Sequence, residues 1–377
     1  MENVYFDNAA TTAIDPLVVN AMTEVMANFY GNPSSIHSHG RKARTLVEKA
    51  RKTVASLLNT APANIFFTSG GTEADNMAIT CSIQSLGLTH AITSKLEHHA
   101  VLHTLQNLEK QGIIFLSFVQ NDSKGNIDLQ HLEQLLKTKP RTLVSLMQAN
   151  NEIGTLTNIQ TIGEICQTYN AIYHTDTVQT VGHYVHNLSN LNAHFIVCAA
   201  HKLHGPKGVG FLYINPTIKI SPLVFGGAQE RNMRGGTENI YAIVGLAKAL
   251  ELAYADMDEH KKHILALKNY MMQALKKHLP DCYFNGETDE DKSLYTVLNV
   301  SFPEMEMADM LLFNLDIHGI SASGGSACSS GSSIGSHVLA GIHSNPKRPS
   351  IRFSFSKYNT FAEIDYVVKT LVAAKNL

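Results

Sequence analysis

The sequence has no long hydrophobic run and no block of charges of one sign. None of its apolar segments approaches the ~18 residues that a membrane-spanning helix needs. The 30 Lys and Arg residues nearly balance the 32 Asp and Glu residues, for a formal net charge of −2. This balance gives no reason to expect binding to nucleic acid or to an anionic membrane. No basic segment followed by an apolar one opens the chain, so no signal peptide is visible. We therefore expect a soluble, cytoplasmic protein.

The sequence also lacks paired cysteines. Its five Cys residues are an odd number and include no CxxC motif, which argues against a disulfide or zinc framework and favours a reducing compartment. His99 and His103 have the four-residue spacing that can place two metal ligands on one helix face. No Glu or third ligand accompanies them in a known pattern. We therefore predict no metal site.

Short apolar runs alternate with helical patterns in the first part of the chain. After two amphipathic helices, the first opened by Asp15-Pro16, we predict strands over 65–68, 91–93, 113–118, 143–147, 171–174 and 194–197, and helices over 73–86, 99–110, 129–137 and 159–169. This alternation is typical of βαβ units, which form a mostly parallel sheet covered by helices on both faces. Such sheets bind ligands at the carboxyl ends of their strands.

A long helical pattern over 240–276 separates this α/β region from a second one. Beyond it we predict strands at 294–300 and 351–355, a helix at 307–315 and a C-terminal helix, with a Gly/Ser-rich segment at 321–333. The length of 377 residues is sufficient for about two domains. We therefore expect an α/β domain followed by a smaller α+β domain.

The segment 194–214 places a lysine where a buried strand ends. An apolar run from Phe195 to Ala200 stops before Lys202, and a second run begins at Val209, after a cluster of Gly and Pro residues. Burial near the core would lower the pKa of Lys202 and leave part of its amine neutral, as a Schiff base with a carbonyl cofactor requires. The alternative is that Lys202 is a loop lysine without a chemical role.

Other polar groups follow neighbouring strands. Gly71 and Thr72 begin a helix, whose N–H groups and positive dipole suit a phosphate, although an ordinary βα turn is the alternative. Asp176 could pair with a protonated pyridine nitrogen and keep a pyridoxal ring electron-poor, or it could cap a helix. His98 follows a further strand and could stack on a flat cofactor.

Cys328 differs from the other cysteines. Cys81, Cys166 and Cys198 lie within apolar segments and are predicted to be core residues, whereas Cys282 lies beside the apolar Tyr283-Phe284 without companions. Cys328 lies in the stretch SASGGSACSSGSS, where small neighbours leave its sulfur accessible. The alternative is an unused Cys in a Ser-rich loop. Arg352 alternates with apolar residues on a predicted strand, where it could bind a substrate carboxylate in bidentate fashion or form an internal ion pair.

Together these segments resemble the pyridoxal-phosphate-dependent cysteine desulfurases of the NifS/IscS type, within the class-V aminotransferases. The resemblance covers essentially the whole chain. It rests on YFDNAATT, GNPSSIHSHG, FTSGGTEADN, EHHAV, NNEIGT, HTDTVQTVG, AHKLHGPKGVG, RGGTEN, GSACSSGS and IRFSFSKYNT, in this order. The GSAC motif in a long Ser/Gly loop is similar to the first of the two desulfurase groups.

The resemblance implies a fold-type I α/β architecture, with a seven-stranded sheet in the large domain and a homodimer with active sites at the subunit interface. The expected domains are 15–258 for cofactor binding, and 1–14 with 259–377 for a small domain that carries the cysteine loop at 321–336. The implied cofactor-binding residues are Lys202 as the covalent attachment point, Asp176 at the pyridine nitrogen, Gln179 at the ring hydroxyl, His98 on the ring face, and Gly71, Thr72, His201 and the other subunit's Thr237 at the phosphate.

The implied reaction converts L-cysteine to L-alanine and leaves the sulfur on the enzyme as a persulfide. Lys202 and His98 would be catalytic, Asn151 and Arg352 would bind the substrate carboxylate, and Cys328 would be the nucleophile. A sulfur-acceptor protein is the expected partner, in iron-sulfur cluster assembly or in thiolation. The alternatives are a selenocysteine lyase or another β-eliminating enzyme, and a non-catalytic scaffold in sulfur transfer.

One position departs from the family pattern. The family usually has Ser at the first position of its S-x-H-K motif, where the hydroxyl contacts the phosphate, and this chain has Ala199. The loss of one neutral hydrogen bond costs about 1 kcal/mol. We therefore expect weaker retention of the cofactor.

Overall fold

The computed structural model of the protein describes residues 3–138, 141–304, 310–324 and 335–374. Its helices are α1 (Pro16–Asn28), α2 (Ser38–Leu57), α3 (Gly71–Leu86), α4 (His99–Lys110), α5 (Leu129–Thr138), α6 (Ile159–Thr168), α7 (Ile240–Ala255), α8 (Met257–His278), α9 (Met310–Ile317), α10 (His337–Gly341) and α11 (Phe361–Ala374). Its strands are β1 (Val4–Tyr5), β2 (Ile65–Thr68), β3 (His90–Thr93), β4 (Phe115–Phe118), β5 (Thr142–Ser145), β6 (Ile172–Asp176), β7 (Phe195–Ala199), β8 (Gly210–Ile214), β9 (Tyr283–Asn285), β10 (Val297–Ser301), β11 (Ile320–Ser321), β12 (Ser323–Gly324) and β13 (Ser350–Ser354).

A seven-stranded sheet organises the first part of the chain. Its strand order is β2-β8-β7-β6-β5-β3-β4, and β8 runs antiparallel to both of its neighbours while the other pairs are parallel. All residues of β7 and β8 are buried, as expected for strands covered on both faces. The prediction of a mostly parallel seven-stranded sheet is confirmed.

Helices pack on both faces of this sheet. Along β7, Ile196 and Cys198 belong to the apolar core that includes α1, α2 and α7. The alternate residues Phe195 and Val197 pack against α3. This alternation follows from the period of two in a strand. Because the two faces are covered, the open edge at the carboxyl ends of β5, β6 and β7 is where polar side chains can meet a ligand.

A second apolar core lies among the C-terminal elements. It is formed around the antiparallel sheet β12-β13-β10-β9 and the helices α8 and α11. The N-terminal segment belongs to it, because Val4 and Phe6 are buried there and β1 pairs with β11. The predicted single helix over 240–276 was wrong. It is interrupted at Asp256, which separates α7 in the first core from α8 in the second.

The four described cysteines are all buried: Cys81, Cys166, Cys198 and Cys282. Cys81, Cys166 and Cys198 are core residues, as predicted, and Cys282 belongs to the second core. In the described ranges no helix is both long enough and apolar enough to cross a membrane.

Candidate active site

A cavity of about 330 Å³ lies at the carboxyl ends of the parallel strands. Its lining residues are Ala9, Ala10, Gly71, Thr72, Asp75, His98, Met147, Asn151, Asp176, Val178, Gln179, Ala199, His201, Lys202 and Arg352. The cavity therefore brings together every predicted site residue except Thr237 and Cys328. Cys328 lies outside the described residues.

Lys202 ends a short 3₁₀ turn that follows β7. Its ammonium group donates hydrogen bonds to the carbonyl oxygens of Ala9 and Ala10. Burial and the positive charge of Arg352 lower the pKa of Lys202 to about 8, against the opposing effect of Asp176 and Asp7. With a pKa near this value, roughly a tenth of the amine is neutral at pH 7. This neutral fraction of the amine can attack a carbonyl carbon.

Asp176 is the last residue of β6 and is buried. Its Oδ1 accepts a hydrogen bond of 2.9 Å from the backbone N–H of Val178, so its side chain both stabilises the turn and lines the cavity. Burial raises the pKa of Asp176, while His98, the Val178 N–H and Lys202 oppose this shift. Nearby, the Gln179 amide donates a hydrogen bond of 3.1 Å to the Ala9 carbonyl.

His98 is held in place by its own helix. It is the N-cap of α4, and its Nδ1 accepts a hydrogen bond of 3.1 Å from the Ala100 N–H. Because Nδ1 is an acceptor, a neutral His98 carries its proton on Nε2. One ring nitrogen of His98 and one carboxylate oxygen each of Asp75 and Asp176 lie within 4.8 Å of one another.

The start of α3 lines part of the cavity. Its N-cap is Gly70, which provides no side-chain cap for the first N–H groups of the helix. Gly71 is required for packing, because a Cβ there would lie 2.8 Å from Cγ2 of Val178. Thr72 adds a hydroxyl to these N–H groups. An uncapped helix N-terminus with a hydroxyl suits a phosphate.

His201 and Ala199 lie at the same end. Burial, together with the charges of Lys202 and Lys207, lowers the pKa of His201 to about 4, so the imidazole is neutral at pH 7. Its Nδ1 lies 3.2 Å from the Thr11 hydroxyl. Ala199 presents a methyl group where the family usually has a hydroxyl.

Thr237 is exposed and does not line this cavity. The loop that precedes it is held against α2 and α3 by two ion pairs. Arg234 pairs with Glu73 at 2.9 Å, and the buried Arg51 pairs with Glu230 at 2.7 Å. The predicted contact of Thr237 with a second subunit stays a prediction.

Arg352, on β13, closes the opposite end of the cavity. Its Nη2 donates to Oδ1 of Asp7 at 2.8 Å, and its Nη1 donates to the carbonyl oxygen of Asn151 at 3.0 Å. The Nε of Arg352 is buried and has no hydrogen-bond partner among the described residues. Arg352 therefore forms an internal ion pair with Asp7 and still has one N–H group that could donate a hydrogen bond to an anion. The role of Asp7 was missed, although the motif YFDNAATT pointed to it.

A second cavity, of about 580 Å³, adjoins the first and shares Asn151 and Arg352 with it. Residues on both sides of the segment 325–334 line it, namely Ser323 and Gly324 before and Gly335, Ser336 and His337 after. The described residues that flank the segment 325–334 therefore line a cavity that also contains Arg352.

His337 also places a third imidazole beside His99 and His103. His99 Nε2 lies 3.0 Å from His337 Nδ1, and the ring centroids of His99 and His103 are 4.5 Å apart. The sequence spacing indicated only the pair within α4, because His337 is remote along the chain.

Comparison with known proteins agrees with this geometry. Residues 4–367 match the aminotransferase class-V family. The cysteine desulfurase IscS of Dictyoglomus turgidum is 42% identical over 372 residues, which cover 98% of this chain and 93% of that protein.

Solved structures agree as well. A structure described as a NifS-like protein is 36% identical, with a TM-score of 0.91 and 99% of both chains covered. A structure described as SspA in complex with cysteine is 29% identical, with a TM-score of 0.81, covering 95% of this chain and 100% of that one. The chain therefore belongs to the class-V aminotransferase family, among its NifS/IscS-like cysteine desulfurases.

Proposed function

We propose that the protein is a pyridoxal-phosphate-dependent cysteine desulfurase that converts L-cysteine to L-alanine and transfers the sulfur to Cys328 as a persulfide. The observation that supports this most directly is the convergence of Lys202, Asp176 and Arg352 in one cavity. That cavity adjoins a second one bordered by both ends of the segment that contains Cys328. A close structural relative is described in complex with cysteine.

The residues present fit pyridoxal 5′-phosphate. Lys202 offers a partly neutral amine for covalent attachment, and Asp176 offers a buried carboxylate for the ring nitrogen. Gln179 and His98 would contact the ring, and Gly71, Thr72 and His201 would hold the phosphate, with Thr237 supplied by a second subunit. When bound, the cofactor accepts the electron pair left on the substrate Cα after deprotonation.

The chain's own groups perform the remaining tasks. Arg352, with Nε free of partners in the described chain, would bind the substrate carboxylate together with Asn151. The Lys202 amine would take the proton from Cα and later return one to Cβ, as a general base and acid. His98, whose Nδ1 is engaged by the Ala100 N–H, would keep Nε2 available for proton exchange near the ring.

The sulfur transfer balances without an external oxidant. The Cys328 thiolate attacks the substrate sulfur, the S–S bond forms, and the Cβ–S bond breaks. Cβ gains a proton in place of sulfur, so L-alanine and a Cys328 persulfide are the two products. The transfer requires Cys328 to approach the cofactor. The position of Ser323, Gly324, Gly335 and Ser336 at the cavity that also contains Arg352 supports this part of the proposal.

The decisive experiment measures both products from L-cysteine. We expect the purified protein to release alanine and to carry one extra sulfur atom on Cys328, measured by mass spectrometry. Cys328→Ser should bind cysteine, detected as a change in the visible spectrum, but form neither persulfide nor alanine. Cys282→Ala, which removes a buried cysteine of the second core, is the matched control and should retain activity.

The same assay separates the alternatives. Undiminished turnover in Cys328→Ser would refute this function and indicate a selenocysteine lyase or another β-eliminating enzyme, because these do not use the cysteine. Absence of alanine, sulfide and pyruvate from the wild-type reaction would indicate a non-catalytic scaffold in sulfur transfer, because a β-eliminating enzyme releases sulfide and pyruvate.

We propose a cytoplasmic homodimer that delivers sulfur to an acceptor protein, a scaffold for iron-sulfur cluster assembly or a thiolation factor. The proposed domains are 15–258, and 1–14 with 259–377. The two apolar cores support this division, because one contains α1, α2 and α7 and the other contains β1, α8 and α11.

A further inference from the structure

Three buried carboxyl groups lie together under the active-site cavity. Asp75 on α3 and Glu97 before α4 are each 1% exposed, and Asp176 at the end of β6 is 6% exposed. Oxygen atoms of Asp75 and Asp176 lie within 4.8 Å of each other and of a His98 nitrogen. Only Asp176 has a role in the proposed function, so the charge state of the other two is an open chemical question.

The partners of these carboxyl groups differ. Asp176 accepts a backbone hydrogen bond from Val178 and is stabilised as an anion by His98 and Lys202. Glu97 accepts one hydrogen bond of 2.8 Å from the Met147 N–H through Oε1. Its Oε2 and the Oδ1 of Asp75 are buried and have no hydrogen-bond partner in the described ranges. A buried ionised carboxylate is costly without such partners.

The neighbour of Asp75 does not neutralise it. His174 Nε2 lies 3.2 Å from Asp75 Oδ1, but no N–H···O hydrogen bond forms there, and His174 Nε2 has no other partner in the described structure. The other ring nitrogen lies 2.8 Å from the Ser145 hydroxyl. Complete burial lowers the pKa of His174 to about 3, so this imidazole is neutral at pH 7. Beside Asp75, His174 therefore offers an acceptor and not a positive charge.

We therefore expect only one of these three carboxyl groups to be ionised. Three neighbouring carboxylates would repel one another at low effective dielectric. Burial and the charges of Asp176 and Glu97 raise the pKa of Asp75 well above its usual value, and burial also raises that of Glu97. A proton on Asp75 removes the cost of a further buried anion beside the neutral His174.

We propose that Asp75 is held as a neutral carboxylic acid and is a positioning residue for Asp176. Because Asp75 is neutral, the negative charge beside the ring nitrogen of the cofactor is that of Asp176. The inference deepens the proposed function and rests on it, because the ring nitrogen belongs to pyridoxal phosphate. The protonation of Asp75 itself is a property of the protein without cofactor, and it can be measured separately.

The first test uses the cofactor-free protein. Infrared spectra at pH 7 should show the carbonyl stretch of a protonated carboxylic acid, shifted by ¹³C-labelled aspartate and lost in Asp75→Asn. Glu97→Gln is the matched control and should leave the aspartate-labelled band in place. An aspartate-labelled band that is absent from the wild-type protein, or that persists in Asp75→Asn, would overturn the proposal. If Asp75→Asn does not fold, Asp176→Asn decides: an aspartate-labelled band that persists in this variant belongs to Asp75, whereas loss of the band would overturn the proposal.

The second test uses the loaded protein and reads the pH midpoint of its visible absorption band. A nearby negative charge stabilises the protonated form of the lysine–cofactor linkage, so removal of that charge lowers the midpoint. Asp75→Asn removes no charge under the proposal and should shift the midpoint by less than about 0.3 unit, whereas Asp176→Asn changes the charge at the ring nitrogen and should move the midpoint by about one unit or more. A shift of about one unit in Asp75→Asn would show that Asp75 is ionised. Failure of the wild-type protein to bind the cofactor would instead refute the proposed function, and the infrared result would still stand.

Discussion

The buried ion pair between Arg51 and Glu230 yields a quantitative prediction about stability. Both side chains are 3% exposed, and both guanidinium Nη atoms of Arg51 lie 2.7 Å from Glu230 oxygens. Glu230 also accepts a hydrogen bond of 2.8 Å from the Phe67 N–H of β2. Arg51→Met would leave this carboxylate buried without its cation. Removing one partner of such a pair costs about 3–5 kcal/mol.

We expect Arg51→Met to lower the thermal unfolding midpoint by roughly 5–10 °C, since 1 kcal/mol corresponds to about 2 °C in a chain of this size. Calorimetry or circular dichroism at one heating rate measures it. Lys248→Met is the matched control, because its pair with Glu251 is at 3.5 Å and partly exposed, and it should cost less than about 1 kcal/mol. Arg51→Met with Glu230→Gln should recover about half of the loss, since the buried charge is gone. Equal effects of Arg51→Met and Lys248→Met would refute the reasoning.

Three further predictions concern the site. Ala199→Ser should tighten cofactor binding by about fivefold, the equivalent of one hydrogen bond of about 1 kcal/mol. Equilibrium dialysis measures the cofactor affinity, and an unchanged affinity would contradict this prediction. The rate of cofactor uptake should rise about tenfold between pH 7 and pH 9 and then level off, because the neutral fraction of Lys202 rises through a pKa of about 8; a rise that continues through pH 10 would indicate an ordinary lysine. Asp7 raises the pKa of Lys202 and Arg352 lowers it, so Asp7→Asn should move the midpoint of that pH profile down and Arg352→Gln should move it up. Shifts in the same direction would exclude this electrostatic origin.

Much of the fold could be predicted because the central strands are buried on both faces. Such strands are continuous apolar runs, and β2 and α4 have the predicted boundaries. The interruption at Asp256 was not predicted, because α7 and α8 each have a continuous helical pattern. No single residue between them shows that the chain passes from the first core to the second.

Most of the predicted site residues follow or end a strand, and Arg352 could be singled out inside β13 because it is charged among apolar neighbours. Lys202, Asp176 and His98 follow or end buried runs. Asp75 lies in α3 between Ala74 and Met77, both fully buried, so a helical pattern alone gives no reason to single it out. Its signal is found only in the structure, where Asp75 is 1% exposed. His174, inside β6, was missed for the same reason.

The N-terminal segment has a practical consequence for work with this protein. Within a few residues it pairs β1 with β11, binds Arg352 through Asp7, and offers the carbonyl oxygens of Ala9 and Ala10 to the Lys202 amine. A deletion or a rigid fusion at this end would therefore disturb the reactive amine directly. Affinity tags for purification belong at the opposite terminus, and a preparation clipped by a protease before position 10 should be colourless even when every side chain that contacts the cofactor is intact.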